Sequence, residues 1–237
     1  AALEQELASL RHGLSGELRL GVIPAAIPAA PFITAPFHKA HPGVLLRLMS
    51  ISSIEIQQGL DTGTLDAGIT YLENEPLRNV RAHQLYREAY MLLTPVGGAF
   101  DAAKAVRWRE AAAVPLCLLS GSMQNRRIVN RLFAEGGAVA PRVAMETDSV
   151  LALIAYVRSG GWSSVVPHTY LTLLGRSGAV LDGLRIIPLV EPEATQAVGA
   201  VVTNAEPLPP AARAFLASIR TLDVPADIAR RRDSPPD

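Results

Sequence analysis

The chain reads as an α/β protein of two lobes, each a sheet with helices against it. Three observations carry that expectation. Strand-length apolar runs alternate with runs of helical period along nearly all of the 237 residues. That length suits two domains of roughly a hundred residues each. The alternation is interrupted twice by Pro- and Gly-bearing segments, at residues 94–98 and 191–193, which read as crossovers between lobes.

Residues 1–12 place Leu3, Leu7 and Leu10 on one helical stripe, stopped by Gly13. So short a helix is marginal alone. It reads either as the tail of a longer linker helix or as a helix folded back on its own domain. A strand follows over 16–22, then the turn Ile23-Pro24-Ala25-Ala26 into a helix over 28–41 with Phe32, Ile33 and Phe37 inward. Residues 44–51 form a second strand. Ser52 and Ser53 sit where it turns into a helix over 54–60, with Glu55 placed for a capping box. Gly63 turns the chain into a third strand, 65–71. Two successive strand-helix-strand units imply a parallel sheet with helices on both faces.

Strands over 80–85 and 88–93 lead to the first crossover. Beyond it the pattern restarts with a helix bearing Trp108, a strand over 114–119, a polar turn over 120–125, a helix over 126–134 and a strand over 143–145. Thr147, Asp148 and Ser149 can each cap the next helix, in which Val150, Leu151, Ile154, Ala155 and Val157 recur at helical spacing. Gly160 and Gly161 end it, and 162–166 is a buried strand stopped by Pro167. A strand over 184–188, the second crossover, a strand over 197–202 and a helix over 209–220 complete the pattern, with a polar, frayed tail over 229–237. The implied organisation is a linker helix over 1–14, one lobe of 15–95 with 197–228, and another of 98–191.

Composition limits the function. Hydrophobic residues make up 49% and charged residues 19%, the balance of a protein with a core. The 22 basic and 22 acidic residues cancel, so the chain lacks the footprint of a nucleic-acid or anionic-lipid surface. No run is long and apolar enough to span a bilayer and no export signal is visible, which gives a cytoplasmic expectation. The lone Cys117 lies in an apolar run, can form no internal disulfide and reads as a core thiol.

Catalytic motifs fail one by one. There is no phosphate-binding Gly loop, no His-Glu-x-x-His and no Gly-x-Ser-x-Gly elbow. His38 and His41 lack a third ligand, so neither a metal nor a cofactor is expected. His168 lies near Ser163 and Ser164, but both serines fall in the buried strand. What recurs instead is a polar turn where a strand gives way to a helix: Ser52 and Ser53; Ser120, Gly121, Ser122, Met123, Gln124 and Asn125; Thr147, Asp148 and Ser149. In open α/β sheets ligands bind at such strand ends, and free helix N–H groups suit anions. Each turn is equally explained as an ordinary N-cap.

The run Gly59-Leu60-Asp61-Thr62-Gly63-Thr64-Leu65-Asp66-Ala67-Gly68-Ile69 resembles the L-x-x-G-x-L-D-x-x-I signature of LysR-type effector-binding domains. Val157 to Trp162, with Val166-Pro167, is similar to their V-x-x-G-x-G segment and closing Pro. The resemblance covers essentially the whole chain. It implies two Rossmann-like lobes joined by two crossovers in the periplasmic-binding-protein-like (type 2) arrangement, with a small-molecule effector in the cleft between them. It also implies homo-dimers or homo-tetramers, and DNA contact only through an N-terminal helix-turn-helix outside this chain. Carried over residue by residue, the site implied by the resemblance takes in Pro24, Ala25 and Ala26, Ser52 and Ser53, the turn Ser120 to Gln124, and the helix start Glu146, Thr147 and Asp148 to Ser149. Ala25 and Ala26 stand where many members have Ser or Thr, and Trp162 replaces the second Gly of V-x-x-G-x-G, as cleft wall or as core. The expected function is effector sensing by a transcription regulator, with a small carboxylate or other compact anion as ligand. A solute-binding protein of the same fold is the alternative, and an enzyme on a related scaffold lacks a visible nucleophile.

Overall fold

A computed structural model describes residues 14–75, 77–138, 140–174 and 183–233. The linker-like segment 1–12 lies outside them. The chain divides into two compact units, unit 1 of residues 1–86 and 197–228 and unit 2 of residues 87–196 and 229–237.

In unit 1, β1 (Ser15–Val22) leads through a 3-10 turn (Pro24–Ala29) into α1 (Ala30–Ala40), then β2 (Gly43–Ser50), α2 (Ser53–Asp61) and β3 (Ala67–Tyr71). β1 pairs parallel with both β2 and β3, as two βαβ units require. The later strand β10 (Thr195–Thr203) runs antiparallel to β3, so the sheet is mixed rather than wholly parallel. β10 arrives from the other unit without a helix laid over the sheet, and the right-handed crossover that enforces parallel pairing does not apply to it. α7 (Pro210–Ile219) packs beside α1, where Phe37 and Phe215 meet edge-on at 5.6 Å.

The other contact layer is set by glycine. Gly21 and Gly68 are register partners on β1 and β3. A Cβ on Gly68 would lie 2.4 Å from Cγ2 of Ile56, and one on Gly21 would lie 2.9 Å from its Cγ1. Ile56, fully buried on α2, therefore sits against bare backbone on two adjacent strands. The signature Asp66 locks the next turn. Its Oδ2 accepts from the Arg19 backbone N–H at 2.8 Å and Nε at 3.0 Å, and its Oδ1 from Nη2 at 2.8 Å. Arg19 Nη2 also donates to the carbonyl of Gly63, whose φ of +69° suits glycine.

β4 (Val80–Pro95) is one sixteen-residue strand where two were expected, and the units divide inside it, between Tyr86 and Arg87, rather than at residues 94–98. The strand runs straight through Tyr86 and Arg87, where the break was expected, and Glu88 just beyond them is fully buried. In unit 2, β5 (Val106–Arg107), α3 (Trp108–Ala111), β6 (Leu116–Leu119), α4 (Gln124–Glu135), β7 (Val143–Thr147), α5 (Val150–Arg158), β8 (Ser164–Pro167), α6 (Leu171–Leu174) and β9 (Leu184–Val190) follow. The helix expected at Trp108 is a single turn. β6 and β7 are parallel, β6 bridges to β8 through Leu116 and Ser163, and β4 pairs antiparallel with β8 and β9. The core gathers Cys117, Leu119, Leu153, Val157 and Val166, with Trp162 half-buried against it. The tail expected to fray from 229 instead continues α8 (Val224–Asp233), anchored by the buried Val224 and Ile228.

The Gly68–Ile56 contact generates a stability prediction. Gly68→Ala should cost about 1–3 kcal/mol in urea unfolding, the usual penalty for overpacking. Ile56→Val in the same chain should return part of it, because the clashing Cγ2 then has room to move. Equal losses in the single and double variants would show that the contact does not set the spacing.

Candidate functional site

Each unit brings two of the expected turns together on its own strand ends. In unit 1, β1 and β2 end side by side, where the Ile51 N–H donates to the Val22 carbonyl at 3.1 Å. Pro24, Ala25 and Ala26 form the 3-10 turn beyond β1. The Ala25 and Ala26 methyls are buried, and the Ala26 N–H donates to the Ile23 carbonyl at 2.9 Å, so this turn faces its own core.

Ser52 is the N-cap of α2 within a reciprocal capping box. Its Oγ accepts from the Glu55 N–H at 3.3 Å and donates to Glu55 Oε2 at 2.6 Å, while its backbone N–H donates to the same oxygen at 2.8 Å. The hydrogen bonds from the Ser52 hydroxyl and backbone hold the Glu55 carboxyl below the ordinary glutamate range. Ser53, nearly buried, donates from Oγ to Glu75 Oε2 at 3.2 Å. The start of α2 is therefore lined by two carboxylates.

In unit 2 the Ser120 N–H donates to the Thr147 carbonyl at 2.9 Å and holds the β6 and β7 ends together. Ser120 and Ser122 share a hydroxyl–hydroxyl bond of 3.1 Å, and the Met123 N–H closes the turn on the Ser120 carbonyl at 3.0 Å. Arg127 Nη1 braces it from outside through the Gly121 and Ser122 carbonyls, at 3.2 and 2.7 Å. α4 then begins at the buried Gln124, and its N-cap Met123 makes no side-chain cap bond. Below the turn, Arg126, only 8% exposed, donates from Nη1 to the Leu119 carbonyl at 2.7 Å and to Glu146 Oε1 at 2.8 Å. Glu146 is thus neutralised where it stands. Of the three candidate caps, Ser149 caps α5 by accepting from the Ala152 N–H. Thr147 Oγ1 instead accepts from the Ser149 N–H, and Asp148 is exposed.

The same edge of unit 2 carries residues that sequence reasoning passed over. β8 lies beside β6 and ends in Pro167 and a 3-10 turn, His168–Tyr170. Antiparallel to it, β4 brings in the fully buried Glu88. The Ala89 N–H donates to His168 Nδ1 at 3.1 Å, so a neutral His168 carries its proton on Nε2. Burial first and the Glu88 charge second push the Tyr170 phenol well above its usual range. Thr169 Oγ1 is buried with no hydrogen-bond partner among the described residues. The available signal was a glutamate inside the apolar run Leu85 to Leu93, a position that needs a partner when buried. Among the described residues no group of His, Cys, Asp and Glu could hold a metal ion.

The Ser52–Glu55 box gives a pH prediction. A depressed folded pKa means that the box stabilises above the unfolded glutamate value, and that this stabilisation is lost as pH falls through the lower, folded value. Ser52→Ala should cost about 1 kcal/mol near neutrality, the price of one N-cap, with the gap to wild type closing in acid. Carboxyl NMR titration should find the Glu55 pKa returned upward in the variant. An identical Glu55 titration in both proteins contradicts the assignment.

Comparisons with known proteins fit this geometry. Residues 11–223 match the family model described as the LysR substrate binding domain. A probable hydrogen peroxide-inducible genes activator of Streptomyces viridosporus is 25% identical over 186 residues, which are 77% of this chain and 59% of that protein. The chain thus spans less than two thirds of that relative. The reduced OxyR regulatory domain of Pseudomonas aeruginosa superposes with a TM-score of 0.74 at 21% identity, covering 87% of this chain and 98% of that one. The LysR-family transcriptional regulator CbnR superposes with a TM-score of 0.73 at 18% identity, covering 98% and 75%. The fold shared with these regulators is the type 2 periplasmic-binding-protein-like one, and regulators of this kind are transcription factors rather than enzymes. With its signature turn, its polar strand ends and a family match over most of its length, the chain belongs to the LysR substrate-binding domain family.

Proposed function

We propose that this chain senses a small carboxylate or other compact anion, received at the carboxyl edge of unit 2. On this reading it passes the binding event to a dimeric or tetrameric, cytoplasmic regulator that touches DNA only through a helix-turn-helix outside the chain. The observation that carries the proposal is the start of α4. Twelve residues of helix begin at Gln124 without a side-chain cap, beside the Ser120 and Ser122 hydroxyls. A helix N-terminus favours negative charge, and the linked hydroxyl pair keeps one proton to donate. Glu146 does not oppose an anion there, because Arg126 holds it. The start of α2 offers the reverse, with its cap closed by Glu55 and Ser53 turned to Glu75.

A thermal-shift screen of small carboxylates and their neutral amides identifies the effector, since a ligand at a hundred times its Kd stabilises by about 2.7 kcal/mol. Calorimetry with that compound should show Ser122→Ala weakening binding by about 0.5–1.5 kcal/mol, the range for one neutral hydrogen bond. Ser53→Ala, at the turn whose hydroxyl is held by Glu75, serves as the comparison variant. Unchanged affinity in Ser122→Ala would put the ligand elsewhere and end the proposal.

The peroxide response in the name of the Streptomyces relative is not proposed for the thiol of this chain. Cys117 is fully buried, and burial raises its pKa, so little thiolate exists at neutral pH to meet an oxidant. Peptide mass spectrometry after brief hydrogen peroxide treatment should find Cys117 unmodified in the folded chain and oxidised in urea. Rapid sulfenic acid formation in the folded chain would reopen a thiol-based reading.

A further inference from the structure

A groove of about 390 Å³ opens in unit 2 around the residue that departs from the family signature, Trp162. It lies at the end of unit 2 opposite the Ser120 and Thr147 turns, where β6 and β8 begin and β4 finishes. The four residues of β6 separate the two edges by about 13 Å. Trp162 is half-buried, with its ring held edge-on by Tyr156 at a centroid distance of 5.4 Å. Thr94 and Ser163, both buried, add one linked pair of hydroxyls. Ser163 donates to Thr94 Oγ1 at 2.9 Å, which leaves the Thr94 proton for an acceptor.

We propose that this groove is a second small-molecule site, taking an uncharged, planar, fused-ring compound that carries one hydrogen-bond acceptor. Four features select that class. The volume falls in the range of small-ligand pockets and is too small for a folded partner element. No lining residue is charged, so nothing there offsets the desolvation of an ionic ligand. Four of the lining residues are glycines, so much of the wall is bare backbone that a flat ring can approach closely. The indole supplies an aromatic face, and Thr94 the lone directional anchor. The site is distinct from the anion-binding edge and does not depend on it.

The test uses the whole chain and 6-fluoroquinoline, neutral at pH 7.5, followed by fluorine NMR. Saturable binding is expected with a dissociation constant of roughly a millimolar, ordinary for so small a ligand. Trp162→Leu should weaken it by about two- to tenfold, the worth of one aromatic contact. Ala99→Asp, at an exposed lining position where folding is not at stake, should weaken it as well. Ser122→Ala should leave it unchanged, and 6-fluoroquinoline-2-carboxylate should bind this groove less well than the neutral compound. The proposal is overturned by an absence of saturable binding, or by wild-type affinity in both Trp162→Leu and Ala99→Asp. It is also overturned if binding is lost on Ser122→Ala, which assigns the probe to the effector edge. Binding that rises and falls with dissociation of self-associated chains would place a second copy in the groove and overturn it too.

Discussion

The close seat of Ile56 on Gly21 and Gly68 is the constraint on which unit 1 depends. With no side chain on either strand position, α2 approaches the sheet until Cγ2 and Cγ1 of Ile56 stand where Cβ atoms on Gly68 and Gly21 would be crowded. That spacing fixes where α2 starts, and hence where Ser52 and Ser53 stand. Leu65 closes the other side of the same contact, lying 2.5 Å from where a Cβ on Gly59 would be. Asp66 then ties the returning strand to β1 through Arg19. The residues of the signature turn are thus packing and tethering residues. They hold the strand ends of unit 1 in place.

The three polar turns separate once their hydrogen bonds are traced. A hydroxyl next to a helix start either satisfies that helix or remains for something else, since one side chain seldom does both. Ser52 and Ser149 satisfy their helices, and Thr147 is drawn into the turn that presents Ser149. Ser120 and Ser122 bond to each other instead, and the helix they precede begins on a methionine. The electrostatics fall the same way. Carboxylates gather at the start of α2, whereas at α4 the nearest acid is held by a buried arginine. Unit 1 is therefore closed on itself at this edge and unit 2 is open.

Much of this was legible in the sequence, and what was not shares a cause. The alternation of periods, the turn at Gly63 and the apolar strand ending at Pro167 depend on neighbours within a few residues, and they appear where they were expected. The antiparallel return of β10, the continuous β4 and the Ser53–Glu75 bond depend on partners 22 to more than a hundred residues away. No local pattern encodes those. Residues 86–88 show the difficulty: the expected break at Tyr86 and Arg87 is bridged by one continuous strand, and Glu88 just beyond it is fully buried. Only its burial beside Tyr170 marks it as part of a polar interior at the carboxyl edge of β8.

Trp162 shows how a departure from a family pattern can be both structural and functional. A glycine at the mouth of a buried strand leaves the sheet end bare, and a tryptophan there must find cover for a large ring. Tyr156 and the core beneath cover one part of the indole, which accounts for its role in packing. The rest borders the groove, because the flanking Gly160 and Gly161 carry no side chains to close over it. Both hold positive φ angles, +87° and +88°, that other residues adopt only under strain, so the bare strip is maintained by the very turn that ends α5. Core and wall are then two faces of one side chain. The end of α5 makes the groove as a by-product of stopping the helix, at the edge of unit 2 remote from the turn that starts α4.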